Sequence, residues 1–216
     1  VAGAVGLAQE KMGYNARFLY PGSGIQELAT GLSKKVGPVE YNTEPKAIDY
    51  KRRRIRVGGQ WAPYRAIVST IPLKNLIRLL KDPPPWIADA ARKLRCSSLN
   101  YLDVALNRPA GTEFHWSYVP ERKYPFYRVG CYSNFSGKMA PPGKSNLYVE
   151  MAARGPLNLK KTMPAVADGL IEMGIIEKPS DIDFVLPRHL PHAYVIYDAR
   201  YEKTVPKLLT WLEENR

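Results

Sequence analysis

Phe18-Leu-Tyr-Pro-Gly-Ser-Gly-Ile-Gln-Glu-Leu-Ala-Thr-Gly-Leu-Ser-Lys-Lys35 is the stretch on which the reading of this chain turns. An aromatic and apolar approach ends at Pro21, Gly22 and Gly24 flank Ser23, and Ile25, Leu28, Ala29 and Leu32 then recur at helical spacing. Ser23 with Gln26 has the S-x-x-Q form of a capping box, which predicts a helix N-terminus at Ser23. Glu27 near the start and Lys34-Lys35 at the end complement the helix dipole. Glycines at such a turn let another chain or a ligand approach the backbone, and freed N–H groups can face an anion. On residues alone, the stretch is a tight turn feeding a capped helix.

Working outward, residues 66–69 (Ala-Ile-Val-Ser) predict a buried strand, with Thr70 as cap and Pro72 as the start of a helix carrying Leu73, Leu76, Ile77 and Leu80. Between the two motifs, residues 36–41 alternate as a strand. Residues 47–50 and 54–57 pair as a hairpin, and Gly58-Gly59 turns the chain toward Trp61 and Tyr64. Val5, Ala8 and Met12 suggest a short helix within 1–17. The stiff run Pro83-Pro84-Pro85 places a domain boundary there, giving residues 1–82 and 83–216.

Beyond the prolines a short helix spans 86–94, and four alternating segments follow. Leu102, Val104 and Leu106 oppose Tyr101, Asp103 and Ala105; Trp116 and Tyr118 share a face. Phe126, Arg128 and Tyr132 oppose Tyr127, Val129 and Cys131, and Tyr148, Glu150 and Ala152 oppose Leu147, Val149 and Met151. This reads as an antiparallel β-meander with one face on a core and the other available for use. A helix from about Thr162 to Gly174, strands at 181–186 and 192–197, and a stripe of Val205, Leu208, Leu209 and Leu212 complete the chain. The fold class is α+β: an antiparallel sheet domain with flanking helices, plus a smaller β-meander and helix.

The net charge of +12 invites an anionic partner, and Lys51-Arg-Arg-Arg54 is its densest cluster, read as a solvated hairpin tip. No nucleic-acid-binding signature accompanies it, so the expectation is weak, salt-sensitive polyanion binding without sequence recognition. No apolar run approaches the roughly 18 residues of a membrane span, and no leader pattern is present. Cys96 and Cys131 read as reduced thiols of a cytoplasmic protein. His189 and His192, separated by Leu190 and Pro191, do not make a metal site. Nucleophile motifs are missing, with no obvious Cys–His arrangement, and Asp181, Asp183, Glu213 and Glu214 read as solvated acids. Gly22-Ser-Gly24 is only half of G-x-G-x-x-G, with Glu27 in the third glycine's place.

The pair "Y-P-G-S-G-I-x-E-L-A-x-x-L" and, about 35 residues further on, "A-I-V-S-T-I-P-L" resembles the flavin-containing amine oxidase and protoporphyrinogen oxidase superfamily, which includes the UDP-galactopyranose mutases. The resemblance implies FAD in the full-length protein. It also implies cofactor contacts at Pro21, Gly22 and Gly24, at Glu44 and Pro45, and at Thr70 and Pro72. Residues 1–82 would be part of the flavin domain and 83–216 the substrate-binding sheet domain. The family's N-terminal G-x-G-x-x-G and C-terminal flavin-binding stretch do not occur here, so the chain resembles a central fragment, inactive alone and not retaining FAD. One departure concerns adenine recognition: Pro45 stands near the position of a backbone contact and has no N–H to give.

The substrate side is read from Tyr101, Trp116, Tyr118, Tyr127, Arg128 and Tyr132. Aromatic rings with one guanidinium make a wall for a planar or sugar-like molecule. Gly130 leaves space across the strand, and Glu150 is the alternative, purely structural partner of Arg128. No catalytic residue can be named. The expected function is the substrate-binding portion of an FAD-dependent oxidoreductase acting on a small molecule, with the missing flavin-domain segments and a second copy in a homodimer as its expected partners. Alternatives are a mutase-like flavoenzyme on a nucleotide sugar and a non-enzymatic basic module binding nucleic acid or an acidic partner.

Overall fold

A computed structural model describes residues 19–152 and 155–215; the helix expected within 1–17 lies outside them. Among the described residues the fold is α+β, with five α-helices and two sheets. The chain divides into two compact units, one taking the described residues up to 37 and from 98 to 191, the other 38–97 and 192–215. The Pro83–Pro85 run lies inside the second unit, where Pro84 is the N-cap and Pro85 the first residue of a helix.

The first unit begins with the Pro21–Gly24 turn, closed by the Gly24 N–H donating to the Pro21 carbonyl at 3.0 Å. Helix α1 (Gln26–Ser33) follows, but the expected capping box does not form: Ile25 is the N-cap and no side chain caps it. Gly24, at φ 100°, turns the chain between Ser23 and the helix, which leaves the Ser23 side chain ahead of the first helical turn. None of α1 is buried, and Ile25, Leu28 and Leu32 stay 63%, 56% and 58% exposed. A methyl at Gly24 would sit 3.2 Å from Met139 Sδ at a backbone angle that side chains disfavour. Gly24→Ala should therefore cost about 1–2 kcal/mol, read by urea denaturation of the chain.

In the second unit, β1 (Ala47–Asp49), β2 (Arg54–Val57) and β3 (Gln60–Pro63) form an antiparallel sheet in that order, as the hairpin reading expected. The basic tip between β1 and β2 is exposed. Two other strand expectations fail. Residues 36–41 form no strand, and 66–70 form none either, leaving Val68 93% exposed. A buried strand needs neighbours to satisfy its ladder, and no described strand pairs with 66–70. Helix α2 (Leu73–Leu79) has Pro72 as N-cap with no side-chain cap, so Thr70 does not cap it. Helix α3 (Pro85–Lys93) packs with α2 around Ile77, Ile87, Ala91 and Leu208.

The larger sheet comprises β4 (Cys96–Leu106), β5 (Trp116–Tyr118), β6 (Arg128–Cys131), β7 (Ser145–Met151) and β8 (Ile182–Val195). Its order is β5-β6-β7-β4-β8, so only β5 to β7 run as a meander. The long β4 lies between β7 and β8, its Leu102, Val104 and Leu106 fully buried. Two separate strands were expected at 181–186 and 192–197, where one spans 182–195.

Helix α4 (Leu159–Glu172), capped by Asn158, covers the core with Val166 and Leu170. It starts three residues before Thr162 and tolerates Pro164 near its N-terminal end. Helix α5 (Ala199–Glu214) is capped by Asp198, buries Val205 and Leu208, and leaves Leu209 52% exposed. Asp181 is not a solvated acid: 3% exposed, it accepts the Glu177 N–H at 2.8 Å, and backbone donors hold its carboxyl below the usual range. No described helix is long and apolar enough to cross a membrane.

Candidate functional site

One face of the larger sheet is core. Leu102, Val104 and Leu106 on β4 and Leu147, Val149 and Met151 on β7 are buried there. Strand alternation then sends Tyr101, Tyr148 and Glu150 to the opposite face. The register sets Arg128 opposite Glu150 and Glu150 opposite Tyr101, so three strands bring these side chains into one row. A cavity of about 230 Å³ opens on this row, lined by Tyr101, Arg128, Tyr148 and Glu150 together with Tyr20, Leu99, Tyr132 and Phe135.

Arg128 forms an ion pair with Glu150 through Nη2 and Oε1. Its guanidinium lies 5.7 Å from the Tyr118 ring centroid and 5.8 Å from that of Tyr148. Burial works against the charge on Arg128, but the Glu150 hydrogen bond and charge outweigh it and hold the guanidinium above its ordinary range. Burial likewise pushes the Tyr148 phenol up to about 12 and raises that of Tyr132, so both hydroxyls stay protonated near neutrality. Arg128 Nε and Glu150 Oε2 are buried, and neither has a hydrogen-bond partner among the described residues. A buried polar atom left this way costs about 1–3 kcal/mol.

Of the expected substrate residues, Tyr101, Arg128 and Tyr132 come together in this cavity. Trp116 does not line it; its ring stacks on Phe135 at 6.2 Å and 9°. Tyr118 stays 56% exposed beside Arg128, and Tyr127 donates its backbone N–H to the Glu150 carbonyl at 3.0 Å; neither lines the cavity. Phe126, expected to share a face with Arg128, is 3% exposed in the core, because β6 begins only at Arg128. The space expected above Gly130 is filled by the Tyr148 ring: a Cβ at Gly130 would lie 2.2 Å from Tyr148 Cζ. Tyr148 was legible as a face-mate of Glu150, whereas Tyr20 and Phe135 meet only in three dimensions, at 5.1 Å.

The profile of the family described as flavin containing amine oxidoreductase matches residues 4–164. The chain belongs to this family. No curated protein matches it significantly. Among solved structures it resembles a reduced UDP-galactopyranose mutase, with TM-score 0.80 at 21% identity over 91% of this chain and 45% of that one. A putative protoporphyrinogen oxidase from Exiguobacterium sp. 255-15 gives 0.69 at 14%, over 89% and 44%. A putrescine oxidase redesigned in its cofactor binding gives 0.60 at 9%, over 84% and 43%. The chain thus spans less than half the length of these structures, and at such identities they share its fold.

The family name implies a flavin, and the described residues do not by themselves make a site for one. The Gly24 N–H is spent on Pro21, and the Gly22 carbonyl accepts the Ser136 hydroxyl at 2.6 Å, so the turn is engaged with its own chain. Glu44 ion-pairs with Lys46 at the surface, Pro45 has no N–H, and the Lys46 N–H donates to the Arg56 carbonyl at 2.8 Å. Thr70 and Pro72 instead line a second cavity, of about 460 Å³, within the second unit. That cavity also holds Cys96 and His192, a Cys–His arrangement not visible in the sequence. His189 Nδ1 lies 2.9 Å from Asn100 Oδ1, and the described residues contain no cluster of three metal-ligating side chains.

Proposed function

We propose that the chain is the substrate-binding portion of an FAD-dependent amine oxidoreductase acting on a small molecule. In this reading the first compact unit carries the substrate and the second lies on the flavin side, with the remaining flavin-binding segments supplied by the rest of the polypeptide. The flavin would supply the redox chemistry, and this chain would orient the substrate. The observation that carries the reading is the pair of unpartnered buried atoms, Arg128 Nε and Glu150 Oε2, beside aromatic rings in the first cavity. A ligand with an acceptor next to a donor and a flat apolar surface would satisfy both atoms. A mutase-like reaction on a nucleotide sugar is the second reading, favoured by the net charge of +12.

The test is the double variant Arg128→Met/Glu150→Leu in the intact enzyme. Replacing both members of a buried pair by apolar groups of similar size leaves stability nearly unchanged. Turnover should nonetheless fall at least about tenfold, the value of one lost charge-assisted contact. A double variant that melts like the parent and turns over normally removes this cavity from substrate binding.

A further inference from the structure

Cys96 opens β4 and His192 lies in β8, far apart in sequence, yet both belong to the second compact unit. Cys96 Sγ lies 3.0 Å from His192 Nδ1. Cys96 is exposed and in no disulfide, whereas Cys131 is wholly buried and its thiol is pushed up by burial. The pair lines the cavity of about 460 Å³, whose wall mixes apolar Leu73, Leu94 and Val205 with cationic Lys74 and Arg95. A metal is a poor occupant, since a zinc site needs at least three protein ligands and this pair offers two. Thiols become nucleophilic beside an imidazole or cationic side chains. Lys74 and Arg95 suit a carboxylate, and the apolar wall suits the carbon skeleton that bears it.

We propose that Cys96 and His192 form a thiol–disulfide exchange site for a small, partly apolar disulfide carrying a carboxylate. In the tautomer protonated at Nε2, His192 Nδ1 takes the thiol proton as Sγ attacks one sulfur of the bound disulfide. The new bond joins Cys96 Sγ to that sulfur, the original S–S bond breaks, and the departing thiolate collects the proton from His192. Cys96 is oxidised and the departing sulfur reduced, with the disulfide as the only oxidant. The product is a mixed disulfide on Cys96 and one released thiol. Arg95 also pairs with Asp198 at 3.5 Å, so Lys74 is the cation whose removal reads anion recognition.

The chain is treated with dithiobis(nitrobenzoate), a carboxylated aromatic disulfide, and in parallel with dithiodipyridine, an uncharged one. Thiol release is followed in time and the adduct mapped by peptide mass spectrometry. The adduct is expected on Cys96 and not on Cys131. His192→Gln should slow both reagents at least about tenfold, the loss of a positioned proton acceptor. Lys74→Met should slow the carboxylated reagent several-fold and leave the uncharged one unchanged. An unchanged rate in folded His192→Gln, equal effects of Lys74→Met on both reagents, or an adduct on Cys131 each overturns the proposal. Should His192→Gln fail to fold by circular dichroism, the Lys74→Met comparison still decides.

Discussion

Glu150→Ala is expected to destabilise the chain by about 3–5 kcal/mol, because it leaves the Arg128 charge half-buried without its counter-ion. Glu150 is 5% exposed and is the one carboxylate among the described residues lining its cavity. The Arg128 guanidinium is held between the Tyr118 and Tyr148 rings, whose faces do not replace a carboxylate. Glu150→Gln keeps one acceptor for the guanidinium and should lose less, about 1–3 kcal/mol. Urea denaturation of the three proteins orders them, with a midpoint shift and an unchanged slope expected. A Glu150→Ala midpoint within about 1 kcal/mol of the parent would mean that water reaches Arg128 and that the pair is a surface one.

The larger sheet was legible where one strand face is wholly core. On β4 and β7 the alternation of buried Leu, Val and Met against Tyr, Asp and Glu fixes which side chains face away from the core, since a one-residue slip would expose the whole apolar set. For that reason Tyr101 on β4 and Tyr148 and Glu150 on β7 could be turned away from the core from the sequence alone. Strand order was not legible, because periodicity does not say which strands are neighbours, and β4 pairs with β7 across an intervening meander. Residues 66–70 show a related limit: an apolar run signals a wish for burial and not the segment that supplies it. The capping box failed at one backbone angle, that of Gly24, which spacing cannot report. Cys96 and His192 lay beyond reach for the same reason as Tyr20 and Phe135, since tertiary packing alone brings them together.

Gly130→Ala should cost about 1–3 kcal/mol and also displace one wall of the cavity lined by Tyr148. Gly130 faces Tyr148 in the β6–β7 register, and the Tyr148 ring crosses directly over it. A methyl there would lie 2.2 Å from Cζ and 2.3 Å from Cε1, well inside contact distance, so the ring must move. Its room to do so is limited, because the Tyr132 ring lies 4.9 Å away on one side and the Arg128 guanidinium 5.8 Å away on another. The displacement therefore reaches the groups that line the cavity. Thermal melts should fall by about 2–12 °C for a chain of this size. Tyr148→Ala in the same background separates the two contributions: with the ring gone, the Gly130→Ala change should cost little further. If Gly130→Ala instead lowers stability equally with and without the ring, the glycine is needed by the strand backbone and not by Tyr148.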